Sequence, residues 1–482
     1  MLLTLIFFVL FVSLIIMFFL SINQIEIIRR ISLYSSTFVF LLSLLLLISF
    51  NFNKYHFQSL LSFSIDINFF NISLLFGIDG LSIYFFVLTC LLMFLCILFL
   101  WKDINSKEQY FNLILLELVL LLVFTTLDLF LFYIFFEAVL IPMFLVIGVF
   151  GSRSRKIRAA YLLFFYTLIG SVLMLIGVLY IYSKVGSSNY ELIQTYNFTI
   201  LEQKWLWLAF FISFSSKIPM FPFHIWLPEA HVEAPTVGSV ILAGILLKLG
   251  VYGFIRFSLV LFPDSCVFFS PIIYLLSIIG IIYASLTAIR QTDIKRIIAY
   301  SSIAHMNLVV LGIFSFNVMG LQGAIFQSLS HGFVAGGMFL LVGILYDRYH
   351  SRLLHYYGGI VHVMPIYSFF FLAFTLANIA VPGTSSFVGE FLLLCGLYKT
   401  NIFVCILAGL GVILCAIYSL WLYNRIIFGN LKIVFTKHFY DITLREFIIL
   451  SYLFLIIIFF GCNPSYLLSG IQIFTTGFIE LH

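Results

Sequence analysis

Stretches of about 20 apolar residues recur from one end of this chain to the other. They centre near residues 11, 40, 90, 118, 138, 170, 212, 248, 277, 304, 333, 380, 415 and 455. Each is long enough to cross a hydrocarbon layer of ~30 Å as a helix. Lipid offers no water to an open backbone, so spanning segments satisfy their own hydrogen bonds as helices or closed barrels. Runs this long and this continuous choose helices. The expectation is an all-α polytopic membrane protein with about 14 transmembrane helices. Only 9% of its 482 residues are charged, against roughly 25% in soluble domains. That deficit argues against a soluble globular enzyme, a disordered chain and a nucleic-acid binder. The net charge of +5 is small for the length and says little about partners.

The run from Leu2 to Leu20 has no basic flank and no clear cleavage site, and it reads as the first span rather than a signal peptide. Sixty phenylalanines and no targeting segment suit a product of an AT-rich organellar genome. The seven cysteines form no CxxC pair. They read as small buried hydrophobes, and neither zinc nor an iron–sulfur cluster is expected. No phosphate-cradling glycine loop, nucleophile elbow or dinucleotide fingerprint is present.

Charge sets the sidedness. With 14 spans, the loops after odd-numbered spans hold 17 of the 24 lysines and arginines, including Arg29, Arg153, Arg290, Lys295, Arg352, Arg425, Lys432 and Lys437. The opposite loops hold four. The bias places the odd loops on the cytoplasmic or matrix side and both termini on the other. Longer linkers are expected at Asn51 to Gly80, Ser183 to Lys204 and Asn430 to Glu446.

Two spans carry breaks. The first contains Pro219 and Pro222 directly after Lys217; the second contains Pro382 and Gly383. Proline removes a helical hydrogen bond and clashes with the preceding turn. The breaks lie 163 residues apart, each in the fourth helix of a five-helix set. A repeat with an odd number of spans inserts upside down relative to its copy. Paired broken helices in inverted halves mark transporters with a midplane ion site. The expected organisation is three N-terminal helices over 1–110, a first five-helix repeat over 111–265, a second inverted repeat over 266–428, and a loop with the last helix over 429–482.

Ionisable residues inside the spans are Glu117, Glu137, Lys217, Lys248, His305, His331 and Glu390. Each costs about 2.5–3.5 kcal/mol at a helix centre on insertion scales. They sit on separate helices, so the fold must bring them together. A carboxylate opposite Lys217 could act as a throttle, and Glu137 is the best candidate. At an effective dielectric near 20 the pair attracts by about 4 kcal/mol at 4 Å and about 2 kcal/mol at 8 Å. That difference matches the cost of moving one charge against 100 mV, about 2.3 kcal/mol. A static buried ion pair is the plainer alternative. Lys248 stands about 12 residues into its span, too deep for easy snorkelling, and points to a hydrated interior. His305 shares a helix face with Ser301 and Ser302, and His331 shares one with Gln327 and Ser328. Both stripes read as a wetted wall, or as core histidines satisfied by a neighbour. The stretch from His224 to Glu233 matches no HExxH-type metal pattern and reads as connector. No metal site is expected. Glu117 has no clear role.

Five strings resemble the antiporter-like membrane subunits of proton-pumping NADH:quinone oxidoreductase, respiratory complex I. They are FFEAVLIPM from Phe135, KIPMFPFHIWLPEAHVEAP from Lys217, GSVILAGILLKLG from Gly238, DIKRIIAYSSIAHM from Asp293 and FVGEF from Phe387. The similarity runs from about Phe76 to Phe428. The resemblance implies 14 transmembrane helices, two inverted five-helix repeats, and proton translocation driven by redox chemistry in other subunits. It implies that Glu137 and Lys217 are a coupled pair and Lys248 a central relay. His305 and His331 become connecting groups, and Glu390 the terminal site. It also implies a non-redox subunit of a proton-translocating NADH:ubiquinone reductase, lying in the mitochondrial inner membrane with both termini towards the intermembrane space. Its partners would be other membrane-arm subunits of complex I, including neighbouring antiporter-like subunits, together with membrane lipid. NADH, FMN, Fe–S clusters and ubiquinone would be bound by those other subunits, with no cofactor in this chain. The length suits members without a lateral helix past the repeats. Two other readings stay open: a subunit of a multi-subunit sodium/proton antiporter or membrane-bound hydrogenase, and a purely structural scaffold whose buried charges act as glue.

Overall fold

The computed structural model describes residues 1–54, 56–67, 70–102, 106–432 and 440–480. Lys437, counted above among the basic loop residues, lies outside them. Among the described residues, twelve helices are long and apolar enough to cross a membrane. The two other expected crossings, near residues 212 and 380, fall where helices break. The chain forms two compact units. The first comprises residues 1–217, 248–270 and 473–482; the second comprises 218–247 and 271–472.

The first unit opens with α1 (Leu2–Phe19) and α2 (Ile25–Ser49). The stretch read as a long linker instead holds an antiparallel hairpin, β1 (Gln58–Ile67) and β2 (Phe70–Ile78), with Ile67 opposite Phe70. Alternating apolar and polar residues from Leu61 to Ile67 carried this period-2 signal, which a search for long apolar runs passes over. Then come α3 (Ser82–Phe99), α4 (Lys107–Thr125), α5 (Leu129–Ala138), α6 (Leu140–Gly148), α7 (Lys156–Val185), α8 (Tyr190–Gln194) and α9 (Ile200–Lys217). Asp128 caps α5 by accepting from the Phe130 and Leu131 amides at 2.9 and 3.0 Å. The interruption between α5 and α6 has a covalent cause. Pro142 has no N–H to give the Ala138 carbonyl, so the helical ladder breaks one residue after Glu137.

After the first proline break come α10 (Trp226–Glu233) and α11 (Thr236–Ile241), both in the second unit. The span then continues through a π-helical turn (Leu242–Leu246), α12 (Leu247–Gly253), a second π-turn (Phe254–Ser258) and α13 (Leu259–Leu261). Wide turns of this kind are rare and concentrate at functional sites. The division between the units falls at Lys248, so the two π-turns belong to different units.

The remaining helices are α14 (Pro263–Arg290), α15 (Ile294–Ile313), α16 (Val318–Tyr349), α17 (Pro365–Asn378), α18 (Ser385–Thr400), α19 (Ile402–Ile427), α20 (Leu444–Cys462) and α21 (Ser465–Glu480). The last was not expected. The second break spans the gap between α17 and α18. Its turn uses Gly383 at φ 93°, a conformation that favours glycine. Helix α20 packs against this break, with Gly461 directly on the Gly383 carbonyl, where any Cβ would collide.

Polarity within each unit is reversed relative to a water-soluble core. On α2 the exposed residues Ile27, Tyr34, Phe38, Leu41, Leu45 and Ile48 recur at helical spacing, and α19 exposes Ile406, Leu410, Ile413 and Ile417 in the same rhythm. Glu117, Lys217, Lys248, His305, His331 and Glu390 are buried. Apolar stripes outward and ionisable groups inward suit a hydrocarbon solvent.

Candidate functional site

In the first unit, Lys217 ends α9, where Pro219 and Pro222 prevent the helix from continuing. Its buried ammonium lies over the Phe136 ring, 4.5 Å from the centroid, and donates to the Phe136 carbonyl at 3.4 Å. Glu137 is the next residue, on the interrupted segment made by Pro142. Among the described residues the two charges do not close into an ion pair within 4.0 Å. Ser171 on α7 donates to the Leu168 carbonyl of its own helix at 2.9 Å, and Oε1 of the Glu137 carboxyl has no hydrogen-bond partner. The pair is therefore neighbouring but open. Lys248 is fully buried on α12. Glu117, on α4, is fully buried too, and neither carboxyl oxygen has a hydrogen-bond partner.

In the second unit, three of the sequence-nominated residues come together. His305 on α15 sets its Nδ1 3.0 Å from Glu390 Oε1 on α18. Its ring centroid lies 5.8 Å from that of His331 on α16. Gln327 on α16 donates to the same Glu390 oxygen at 3.1 Å. The serines expected to line a wetted wall turn their hydroxyl protons to their own helices. Ser301, Ser302 and Ser328 donate back to carbonyls of their own helices at 2.8, 3.1 and 2.7 Å. Short hydroxyls on a helix have a carbonyl three or four residues back within reach, and in lipid that is the ready partner. A different serine set joins α16 to α18: Ser330 lies 2.8 Å from Ser385 and 3.0 Å from Ser386, at the edge of the second break.

Close approach of α16 and α18 makes this geometry possible. Gly389 lies against Gln327, and a Cβ on it would sit 2.8 Å from the Gln327 Cα. Without that bare surface, Glu390 could not reach Gln327 and His305 together.

Residues the sequence reading had not nominated complete the picture. Cys415 on α19 places its Sγ 3.6 Å from His305 Nε2, so the imidazole stands between a carboxyl and a thiol. Tyr418 donates to that sulfur at 3.0 Å. Lys295 and Arg352 had been read as loop charges, yet both are buried. Lys295 donates to the Ala234 carbonyl at the end of α10, at 2.8 Å, and to Ser239 at 3.3 Å. The connector after the first break is thus helical, and its His231 stacks on Phe339 with ring centroids 4.6 Å apart. In the first unit, Arg256 and Asp79 form a buried ion pair at 2.6 Å, beside a cavity of about 290 Å³ shared with His56 and Gln194. No local pattern betrays these groups. Lys295, Arg352, Arg256 and Asp79 lie near helix ends, where a sequence alone does not separate a loop charge from a buried one, and Cys415 and Tyr418 lie within the apolar run of α19.

The arrangement can hold and pass protons. It offers an acid and an imidazole in contact in the second unit and buried amines and acids in the first, within an apolar surround. Comparison with known proteins agrees with that chemistry. Residues 126–416 match the family described as NADH:quinone oxidoreductase/Mrp antiporter, TM. NADH-ubiquinone oxidoreductase chain 4 of Chondrus crispus is 52% identical over 94% of this chain and 92% of that relative. The structure of respiratory complex I from Thermus thermophilus with bound NADH contains a chain that superposes with a TM-score of 0.88 at 28% identity, covering 99% of both chains. A chain of the Mrp complex from Dietzia sp. shares the fold, with a TM-score of 0.86 at 18% identity over 98% of this chain and 97% of that one. The chain belongs to the family of NADH:quinone oxidoreductase and Mrp antiporter transmembrane subunits.

Proposed function

We propose that this chain is a proton-translocating, non-redox membrane subunit of respiratory NADH:ubiquinone oxidoreductase in the mitochondrial inner membrane, working beside other membrane-arm subunits. The identity over nearly the whole length with relatives bearing the chain 4 name supports this over the antiporter and hydrogenase readings; the match to a chain of the Mrp complex is at 18% identity.

Within that function, Glu137, Lys217 and Lys248 form the loading set, and His305, His331 and Glu390 form the releasing set. The open Glu137–Lys217 neighbourhood lets a change in their separation alter the lysine's hold on its proton. His305 then hands charge to Glu390, with His331 alongside. The observation that carries the reading is the buried His305–Glu390 contact at 3.0 Å. A carboxyl and an imidazole in apolar surroundings exchange a proton at little cost, whereas either alone would be expensive to charge. Both termini are proposed to face the intermembrane space, from the bias of basic loops.

The test uses the intact complex in sealed vesicles. Lys217→Met and Glu390→Gln preserve volume and remove the titratable group. Both variants should assemble, oxidise NADH when uncoupled, and pump several-fold fewer protons per NADH. A scaffold whose charges act as glue would instead fail to assemble. Variants that assemble and pump normally would sink the relay.

A further inference from the structure

A cavity of the second unit lies away from the proton groups. It has a volume of about 730 Å³ and sits where α14 and α19 end. Three cations line it: Arg290 at the last residue of α14, Arg425 in the last turn of α19, and Lys432 just beyond. No acidic side chain is among its described lining residues. Lys432 is held at the rim by donating to the His355 carbonyl at 2.5 Å. The Arg425 guanidinium lies against the Trp421 ring, 5.6 Å from its centroid. Among the described residues neither Arg290 nor Arg425 takes part in an ion pair.

Two helix C-termini face the same space, and each carries about half a negative charge. The two arginines alone outweigh that by about one positive charge. These residues also belong to the basic loops that the charge bias puts on one side of the membrane.

A second observation separates a lipid from a soluble anion. Below the cations, both helices turn apolar residues outward at helical spacing. On α14 these are Ile279 and Leu286, the latter one turn from Arg290; on α19 they are Ile413 and Ile417, the latter one turn from Trp421. The helices meet closely there, with Gly411 against Ile281. A basic pocket, an aromatic at its edge and an exposed apolar ridge beneath it match the parts of a phospholipid in order.

We propose that this cavity binds the phosphate headgroup of an anionic phospholipid, with the acyl chains lying along α14 and α19. The site clamps the ends of two helices of the releasing half through a molecule the chain does not encode.

The experiment uses the whole complex reconstituted in vesicles containing diazirine-bearing phosphatidylglycerol or, in a parallel arm, phosphatidylcholine with the same acyl chains. After photolysis, labelled peptides are mapped. Phosphatidylglycerol should label the segments around Leu286 and Ile417 in clear excess over phosphatidylcholine. Arg290→Gln combined with Arg425→Gln should lower that label about tenfold. Inorganic phosphate should not compete. Should the double variant fail to assemble, Arg425→Gln alone and the ratio of the two lipids on the unaltered complex give the same readout. Equal labelling by both lipids would overturn the proposal, as would undiminished label in the variants. So would loss of label to inorganic phosphate, or an acidic segment of a neighbouring subunit cross-linked in the cavity.

Discussion

His305 is the residue on which the second unit turns. One ring nitrogen faces the Glu390 carboxyl at 3.0 Å and the other faces the Cys415 thiol at 3.6 Å. The thiol is a weak donor and acceptor, so it orients the ring without competing for its charge. Cys415→Ala should therefore leave assembly intact while disturbing pumping far less than Glu390→Gln; equal pumping losses would make the sulfur a relay member in its own right. Arg256 and Asp79 show the opposite use of buried charge. Their contact at 2.6 Å is closed, and both side chains are almost fully buried. Removing one partner strands the other in an apolar surround. Arg256→Met should cost about 3–5 kcal/mol, and replacing both residues by apolar ones should recover much of it. Thermal unfolding of the isolated complex reads both variants. A static pair and a working pair thus differ in how freely the charges can separate.

Helices here are positioned by what they lack. Pro142 breaks the ladder beside Glu137, Pro219 and Pro222 end α9 at Lys217, and Gly383 turns the chain ahead of α18. Close packing of α16 on α18 depends on Gly389, whose Cβ would sit 2.8 Å from the Gln327 Cα. Gly389→Ala should cost about 1–3 kcal/mol through overpacking and pull Glu390 away from His305. Gly409 on α19 has nothing within 4 Å of such a Cβ. Gly409→Ala should leave stability unchanged or slightly raised. Melting and pumping measured on the two variants separate a packing requirement from a general intolerance of change. Lys295 ties α15 to the end of α10 in a different way, by reaching the Ala234 carbonyl at 2.8 Å. Lys295→Met would leave that carbonyl without its donor, at a cost of about 1–3 kcal/mol.

Across the whole chain, the pattern of solvents decides the architecture. The lipid-facing outside offers no water to an open backbone, so length and hydropathy along the sequence already dictate helices, their approximate places and their exposed stripes. The proline breaks, the buried acids and bases, and the family strings were legible for the same reason: each is a costly exception in an apolar chain. The β-hairpin after α2 and the π-turns flanking α12 were not, because short-range pattern is weak beside twenty-residue runs. Nor could the sequence tell that Lys295 and Arg352 are buried while Arg290 and Arg425 are not. All four stand near helix ends, and only neighbouring helices settle whether such an end is covered. The same holds for Cys415, an apolar-looking residue until α19 places it against His305. What sequence alone determined was which groups are too expensive to be accidental. Tertiary structure decided which of them touch, because contact between separate helices depends on packing at single glycines and breaks, and no spacing along one helix encodes that.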